Sequence, residues 1–193
     1  MLFRRFGLYG PNLHFSPCFR MPLIVYLLSL AIRFVVLCAL LWLAVVDVRT
    51  RRLPTRVVLT IAALFFIDAL VVHMSIRDIV MHLLLALGIF VVCAALFAAK
   101  MLGGGDAKLA SVIFLWAGPN LWLPALTLIS VIGTLVSLIS LGTRNMNPDQ
   151  RSRLMRALAM FSGLRGVPYG VALALGGGSV IVLPVLLPLI LKR

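Results

Sequence analysis

The stretch Gly103-Gly104-Gly105-Asp106-Ala107-Lys108-Leu109 places a run of glycines and a carboxylate between two long apolar segments of the chain. Acidic residues are rare here, since the 193 residues include five aspartates and no glutamate. An ionisable side chain within a membrane segment costs free energy and is by default a candidate functional residue. Asp106 is therefore the first candidate, and Asp47, which closes an earlier apolar segment, is the second.

The composition is that of a membrane protein. Hydrophobic residues make up 63% of the chain and the mean hydropathy is +1.15, whereas about half of the residues of a soluble domain are apolar. Several apolar runs approach the roughly 20 residues that a helix needs to cross a bilayer. We predict an all-α fold, a polytopic membrane protein with about six transmembrane helices.

The predicted membrane domain covers residues 22–193 and contains six spans, which are residues 22–46, 57–74, 79–100, 107–118, 121–141 and 167–191. The fourth span, as a helix, would be about 18 Å long, compared with roughly 30 Å for the hydrocarbon core. Residues 1–21 form a separate tail with two interpretations. Either translation begins at Met21 and the tail is not part of the natural protein, or the tail is a disordered basic extension.

The net charge of +13 comes mainly from basic residues in short loops between apolar segments. This distribution is typical of cytoplasmic loops and favours contact with the lipid bilayer through its anionic headgroups. The basic residues form no single interleaved face, so we expect no nucleic-acid partner. With the basic loop 47–56 in the cytoplasm, six crossings place the glycine run and the basic loop 142–166 there too, provided that the fourth span crosses completely. Trp116 and Trp122 would then flank its outer turn as interfacial aromatics.

The cysteines and histidines do not suggest a metal or cofactor site. Cys18, Cys38 and Cys93 contain no CxxC pair, and cysteine in an apolar run usually acts as a small hydrophobic residue. His73 and His82 are predicted near the outer ends of two spans, and two ligands are too few for a metal site. We expect no cofactor and no metal.

The predicted topology brings Asp47 and Asp106 to the same side of the membrane at similar depth. Two carboxylates that share one proton form an acid–base pair that can activate water against a peptide carbonyl. The glycines before Asp106 permit a non-helical turn and a close approach of backbone or substrate. The alternative for each aspartate is structural, since Asp47 could cap a basic loop and Asp106 could cap a helix.

Three segments of this sequence resemble motifs of the type IV prepilin peptidases, which are GxGD-type aspartic proteases of the membrane. The stretch 103–109 matches the GxGDxKL motif of that family. Asp47 with Arg51-Arg52-Leu53-Pro54 resembles its first motif, although Thr55 stands where asparagine is usual. Val167-Pro168-Tyr169-Gly170 is similar to the opening of the family's last helix.

This resemblance implies cleavage of the leader peptide of prepilin-like proteins at the cytoplasmic face of the bacterial inner membrane. Asp47 and Asp106 would be catalytic, with support from the motif residues Gly103, Gly105, Lys108 and Pro54. Larger members carry a cysteine-containing insert after the first span and also methylate the new N-terminus. This chain lacks the insert and resembles the small form associated with Flp/Tad pilus assembly, a peptidase without methyltransferase activity. The implied partners are a prepilin-like substrate and the pilus-assembly machinery.

A different class of function is the alternative, namely a transporter or assembly scaffold with proton-carrying aspartates, because intramembrane acids and broken helices also mark transporters. Asp68 could be a third functional acid, but a hydrogen bond between helices is favoured. Arg33 either snorkels from the outer end of the first span, or the span begins after it. The Gly176-Gly177-Gly178 run favours close helix packing or a kink over phosphate binding.

Overall fold

The computed structural model describes residues 23–50, 53–142 and 169–190, and these residues are almost entirely helical. The tail 1–21 and most of the predicted loop 142–166 lie outside the described residues. The described residues form five helices, which we label α1 (Leu23–Thr50), α2 (Thr55–Val71), α3 (Ile76–Ala98), α4 (Gly104–Gly142) and α5 (Tyr169–Ile190). The prediction of an all-α fold is confirmed.

Three helical stretches are long and apolar enough to cross a membrane, namely Leu23–Thr50, Ile76–Ala98 and Gly104–Ile139. A shorter apolar helix covers Tyr169–Val182, and α2 has 17 residues. Large apolar side chains are exposed along the outer faces of α1 and α3, as expected of surfaces that meet lipid. These features support a membrane protein but do not support the count of six spans.

The predicted fourth and fifth spans are two helices that join directly at Gly118 within α4, without the predicted loop between them. The stretch is bent at Gly118, whose φ of 63° and ψ of −177° lie in a region that is essentially restricted to glycine. Pro119 follows directly, and its fixed φ suits the first position of a helix. One glycine therefore replaces a loop, and we call residues 104–117 the N-arm and residues 119–142 the C-arm.

The two arms of α4 run in opposite directions past α5. Ile113 of the N-arm lies against Gly177, and Ile129 of the C-arm lies against Gly176. Adjacent residues of α5 thus contact one residue before the bend and one residue after it. A Cβ atom placed on Gly176 would lie 2.9 Å from the Cα and N atoms of Ile129. This close approach of two backbones confirms the packing role predicted for the glycine run in α5.

The N-arm, which is the shortest predicted span, forms the centre of the bundle. Residues 112–118 are all buried, whereas no residue of α3 is buried. Trp116 is only 5% exposed, and its Nε1 donates a hydrogen bond to the carbonyl oxygen of Ile61 at 3.0 Å. Its prediction as an interfacial aromatic is wrong, because it lies in the buried stretch 112–118, while Trp122 beyond the bend is 37% exposed.

The first helix extends further than the sequence suggested. The predicted span ended at residue 46 with Asp47 in the loop, but α1 continues to Thr50. The Thr50 hydroxyl donates to the carbonyl oxygen of Val46 at 3.0 Å. Residues 47–50 are compatible with a helix, and Pro54 is the first residue that forbids its continuation. Asp47 is therefore held on a helix and not on a loop.

Arg33 forms the main polar contact inside the bundle. Its Nη2 donates to Asp68 Oδ2 at 3.0 Å, and its Nη1 donates to the Ile181 carbonyl oxygen at 3.1 Å. Its Nε donates to Ser29 Oγ at 3.4 Å, and its guanidinium carbon lies 5.7 Å from the centre of the Trp116 ring. Both interpretations of Arg33 are wrong, because it lies within α1 and points inward. The hydrogen bond predicted for Asp68 is confirmed.

Candidate active site

The ends of three helices, namely the N-arm of α4, α2 and α3, meet at one end of the bundle. Lys108 of the N-arm lies beside the start of α2, where its Nζ donates to Thr55 Oγ1 at 3.4 Å. A Cβ atom on Gly105 would lie 3.0 Å from the Leu53 Cβ, and one on Gly104 would lie 3.2 Å from the Phe97 ring of α3. The two sequence motifs, around Pro54 and around Asp106, are therefore adjacent in space.

Asp47 is the buried member of the site. It lies near the C-terminal end of α1 with 6% of its surface exposed. Its Oδ2 accepts a hydrogen bond from the backbone N–H of Gly170 at 3.0 Å. Gly170 is in the first turn of α5, where backbone N–H groups have no acceptor within their own helix. The last helix of the bundle thus begins directly at the Asp47 carboxylate.

Asp106 occupies the first turn of α4 and is half-buried. It is close enough to Asp47 for the charges of the two carboxylates to interact. A Cβ atom on Gly103 would lie 2.8 Å from Asp106 Oδ2, so the chain before Asp106 approaches its carboxylate closely. The structure therefore brings together the two aspartates that were predicted from the sequence to act together.

The four predicted supporting residues lie at the same end of the bundle and have different contacts there. Gly103 and Gly105 leave room for the Asp106 carboxylate and for Leu53, respectively. Pro54 is the N-cap of α2, with φ of −69° and ψ of 113° and no capping side chain. Lys108 is exposed and its Nζ donates to Thr55 Oγ1, and Thr55 is the residue that departs from the prepilin peptidase motif.

A model of the type IV leader peptidase family matches residues 34–138 of this chain. The match covers more than half of the chain and includes both aspartates. The chain belongs to the type IV leader peptidase family. Searches of the curated proteins and of the solved structures found no match. The family supports a membrane protease that acts on prepilin-like leader sequences.

One contact of this leader peptidase was missed in the choice of site residues. Gly170 lies beyond the matched segment, and the sequence points to it only through the resemblance at the start of the last helix. Its N–H bond to Asp47 joins residues that are 123 positions apart. The available signal was the position of Pro168-Tyr169-Gly170, where an apolar segment begins after a basic loop.

The two histidines among the described residues, His73 and His82, are remote from Asp47 and Asp106. His82 lies near the bend of α4, where its Nδ1 is 2.7 Å from the Leu115 carbonyl oxygen and its ring stacks on Phe65. His73 is exposed after the end of α2. Within residues 23–50, 53–142 and 169–190, no group of three or more His, Cys, Asp or Glu side chains is arranged to hold a metal.

Proposed function

We propose that this leader peptidase is an aspartic endopeptidase that removes the leader of a prepilin-like protein, with Asp47 and Asp106 as its catalytic pair. The observation that supports the proposal is the position of both carboxylates at the end of the bundle where the two motifs converge, near enough for their charges to interact. Like charges in close proximity favour a state in which the pair holds one proton. Such a pair contains one base and one acid at the same time.

The reaction uses both members of the pair. The ionised carboxylate takes a proton from a water molecule as the water oxygen attacks the scissile carbonyl carbon, and the protonated carboxyl gives its proton to the carbonyl oxygen. The resulting gem-diol then collapses: the ionised member of the pair takes a proton from one gem-diol hydroxyl, the C–N bond breaks, and the protonated member gives its proton to the leaving amine. The pair returns to its singly protonated state, so that protons and charges balance over one cycle.

The distribution of charge supports a cytoplasmic orientation for the aspartates. Arg49, Arg56, Lys100 and Lys108 are exposed at the end of the bundle that contains them. Among the described Lys and Arg residues, Arg77 is the one at the opposite end. Basic residues are concentrated on the cytoplasmic side of membrane proteins. We therefore place the site at the cytoplasmic face of the inner membrane, where the leader of a membrane-inserted substrate is accessible.

The short connection between α1 and α2 supports an activity limited to the peptidase. Four residues, 51–54, separate the two helices, and none of them is a cysteine. The cysteine-containing insert that larger members of the family carry has no place there. We propose a small peptidase of the Flp/Tad type, without methyltransferase activity, that works beside the pilus-assembly machinery.

The proposal is tested by cleavage of a prepilin-like substrate with the purified protein in lipid nanodiscs. We expect Asp47→Asn and Asp106→Asn each to reduce kcat by about 10³-fold or more, because each removes one half of the acid–base pair. The double variant should be no less active than either single variant. Asp78→Asn is the matched control, since Asp78 is exposed at the other end of the bundle.

Near-normal cleavage by either single variant would contradict the proposal. The alternative of a proton-carrying transporter predicts a different result. It predicts that purified wild-type protein in sealed vesicles moves protons and does not cleave the substrate. It also predicts that both aspartate variants lose proton movement. Cleavage without proton movement, lost in both aspartate variants, supports the peptidase.

A further inference from the structure

We propose that Gly170 is a positioning residue that fixes the orientation of the Asp47 carboxylate through its backbone N–H. This inference rests on the proposed role of Asp47 in peptide hydrolysis. Gly170 touches no substrate atom in this proposal and acts only through Asp47. The last helix of the bundle then has a role in the reaction, in addition to its packing role.

The first argument is the hydrogen bond itself. Gly170 N and Asp47 Oδ2 are 3.0 Å apart in a buried environment, which is a normal length for a hydrogen bond. The donor is a backbone atom in the first turn of a helix, so its direction is set by the helix and not by side-chain torsions. A carboxylate bound to it has one preferred orientation. A pair of carboxyl groups that shares a proton needs a fixed orientation, because proton transfer depends on the geometry of donor and acceptor.

The second argument is the space at Gly170. A Cβ atom at this position would lie 2.7 Å from Asp47 Oδ2, 2.8 Å from its Cγ and 3.1 Å from its Cβ. Real Cβ atoms essentially never come closer than 3.0 Å to another heavy atom. The nearest obstacle to a side chain is therefore the carboxylate group, which is the mobile end of Asp47. Even one methyl group at position 170 forces this carboxylate to rotate.

The third argument comes from the packing around Gly170. Residues 171–174 of α5 are buried, and α5 contacts both arms of α4 through Gly176 and Gly177. The start of α5 is thus held in the bundle by contacts beyond position 170. An added methyl group at Gly170 is accommodated more easily by rotation of one side chain than by displacement of this helix. The substitution should affect the site more than the fold.

The test is Gly170→Ala in full-length protein in nanodiscs, with the prepilin-like substrate. We expect kcat to fall about 10- to 100-fold, because a displacement of about 1 Å in a reacting group has an effect of this size. KM should stay within about twofold, since Asp47 is proposed to act in proton transfer and not in binding. The melting temperature in detergent should stay close to that of the wild type.

Two glycines serve as matched controls. Gly133 is buried in the C-arm, where an added Cβ would make ordinary contacts of 3.7 Å with Ala172 and 3.9 Å with Tyr169. Gly88 in α3 has no atom within 4 Å of an added Cβ. Gly133→Ala and Gly88→Ala should leave kcat and KM unchanged. Equal losses of kcat in Gly133→Ala and Gly170→Ala would show that the loss comes from disturbed helix packing and not from the Asp47 carboxylate, and would overturn the proposal.

A backbone change separates the hydrogen bond from the added methyl group. Replacement of the Tyr169–Gly170 amide by an ester removes the N–H and adds no side chain, so it remains informative if Gly170→Ala does not fold. We expect kcat to fall with KM retained, and an unchanged kcat would overturn the proposal. The two proposals also fail separately. If Asp47→Asn is active, the proposed function is contradicted. If Asp47→Asn is inactive but Gly170→Ala is fully active, only the role of Gly170 is contradicted.

Discussion

At the scale of single residues, each aspartate of the site has a glycine against its carboxylate. Gly170 faces Asp47, and Gly103 faces Asp106, with a hypothetical Cβ 2.7 Å and 2.8 Å from the respective Oδ2 atom. The two glycines are far apart in the chain and lie at the starts of different helices, α4 and α5. Their shared property is that they leave space for a carboxylate where any side chain would displace it.

This arrangement predicts the effect of Gly103→Ala. The added methyl group meets Asp106 Oδ2 and lies 3.6 Å from its Cγ, so the carboxylate must turn away. We expect kcat to fall about 10- to 100-fold with little change in melting temperature, because the obstacle is a side-chain end and not backbone. The measurement is steady-state cleavage of the prepilin-like substrate.

Gly104→Ala is the control for this prediction, since it changes the neighbouring residue by the same methyl group. Its Cβ would lie 3.2 Å from the ring of Phe97, and that residue is 54% exposed and free to shift. We expect activity close to that of the wild type. If Gly103→Ala retains full activity, or if both variants lose it equally, the space beside Asp106 has no specific role.

At the scale of secondary-structure elements, one arginine joins four helices. Arg33 of α1 contacts Asp68 of α2, Ile181 of α5 and the Trp116 ring of α4. The pair is largely desolvated, since the side chains of Arg33 and Asp68 are 20% and 6% exposed. Asp68 Oδ1 is buried and has no hydrogen-bond partner among the described residues. The contact therefore combines a strong interaction with an uncompensated desolvation cost.

The stability of variants of this ion pair should follow from that balance. Arg33→Met leaves a buried carboxylate without its cation, and we expect the free energy of unfolding to fall by about 3 kcal/mol. Replacement of both partners, in Arg33→Met/Asp68→Leu, should restore most of the loss, because an apolar pair of similar volume has no desolvation cost. The measurement is thermal or denaturant unfolding in detergent.

The rescue by the double variant is the decisive comparison. A double variant as unstable as Arg33→Met would show that the ion pair is required for packing in a way that apolar side chains cannot supply. Asp68→Leu alone should also destabilise the protein, since it leaves the guanidinium of Arg33 without a carboxylate. Cleavage at low temperature should persist in all three, because Arg33 and Asp47 are separated by about 21 Å along α1.

At the scale of the whole molecule, the bundle is thinner along the N-arm than along α3. The bend of α4 lies beside His82, since a Cβ atom on Gly118 would overlap the imidazole ring. His82 is in the second turn of α3, which begins at Ile76. The bend is therefore about 9 Å short of the start of α3 along the helix axis. We expect the short N-arm to thin the membrane locally, as a helix shorter than the hydrocarbon core does.

The reversal of α4 predicts the sidedness of the chain. In intact cells, with Cys18, Cys38 and Cys93 replaced by alanine, Arg77→Cys should react with a membrane-impermeant thiol reagent. Thr50→Cys and Lys100→Cys should react only after permeabilisation, because they lie at the basic end of the bundle. Labelling is measured by mass shift on a gel, before and after permeabilisation.

Ser152 lies outside the described residues, in the predicted basic loop 142–166, and it tests the reversal directly. The C-arm returns to the end of the bundle that contains the aspartates, so Ser152→Cys should be protected together with Lys100→Cys. Labelling of Ser152→Cys in intact cells, with Lys100→Cys still protected, would mean that α4 crosses the membrane only once. The arrangement of the two arms would then be wrong.

Several properties followed from local sequence alone. The apolar content predicted a helical membrane protein, because a bilayer leaves few other ways to satisfy backbone hydrogen bonds. The same content made Asp47 and Asp106 conspicuous, since a carboxylate in an apolar segment requires a compensating role. Pro54 predicted a helix boundary through its missing N–H. Each of these inferences depends only on a residue and its neighbours in the chain.

Other properties were decided by tertiary contacts. The direct reversal of α4 depends on Gly118. Its φ of 63° is accessible to any glycine, and the packing of the two arms against α5 requires it at this position. The burial of Trp116, the pairing of Arg33 with Asp68 and the bond from Gly170 to Asp47 each join segments far apart in the chain. A residue's sequence neighbours do not specify such partners, because the free energy of these contacts arises only when distant helices exclude lipid and water together.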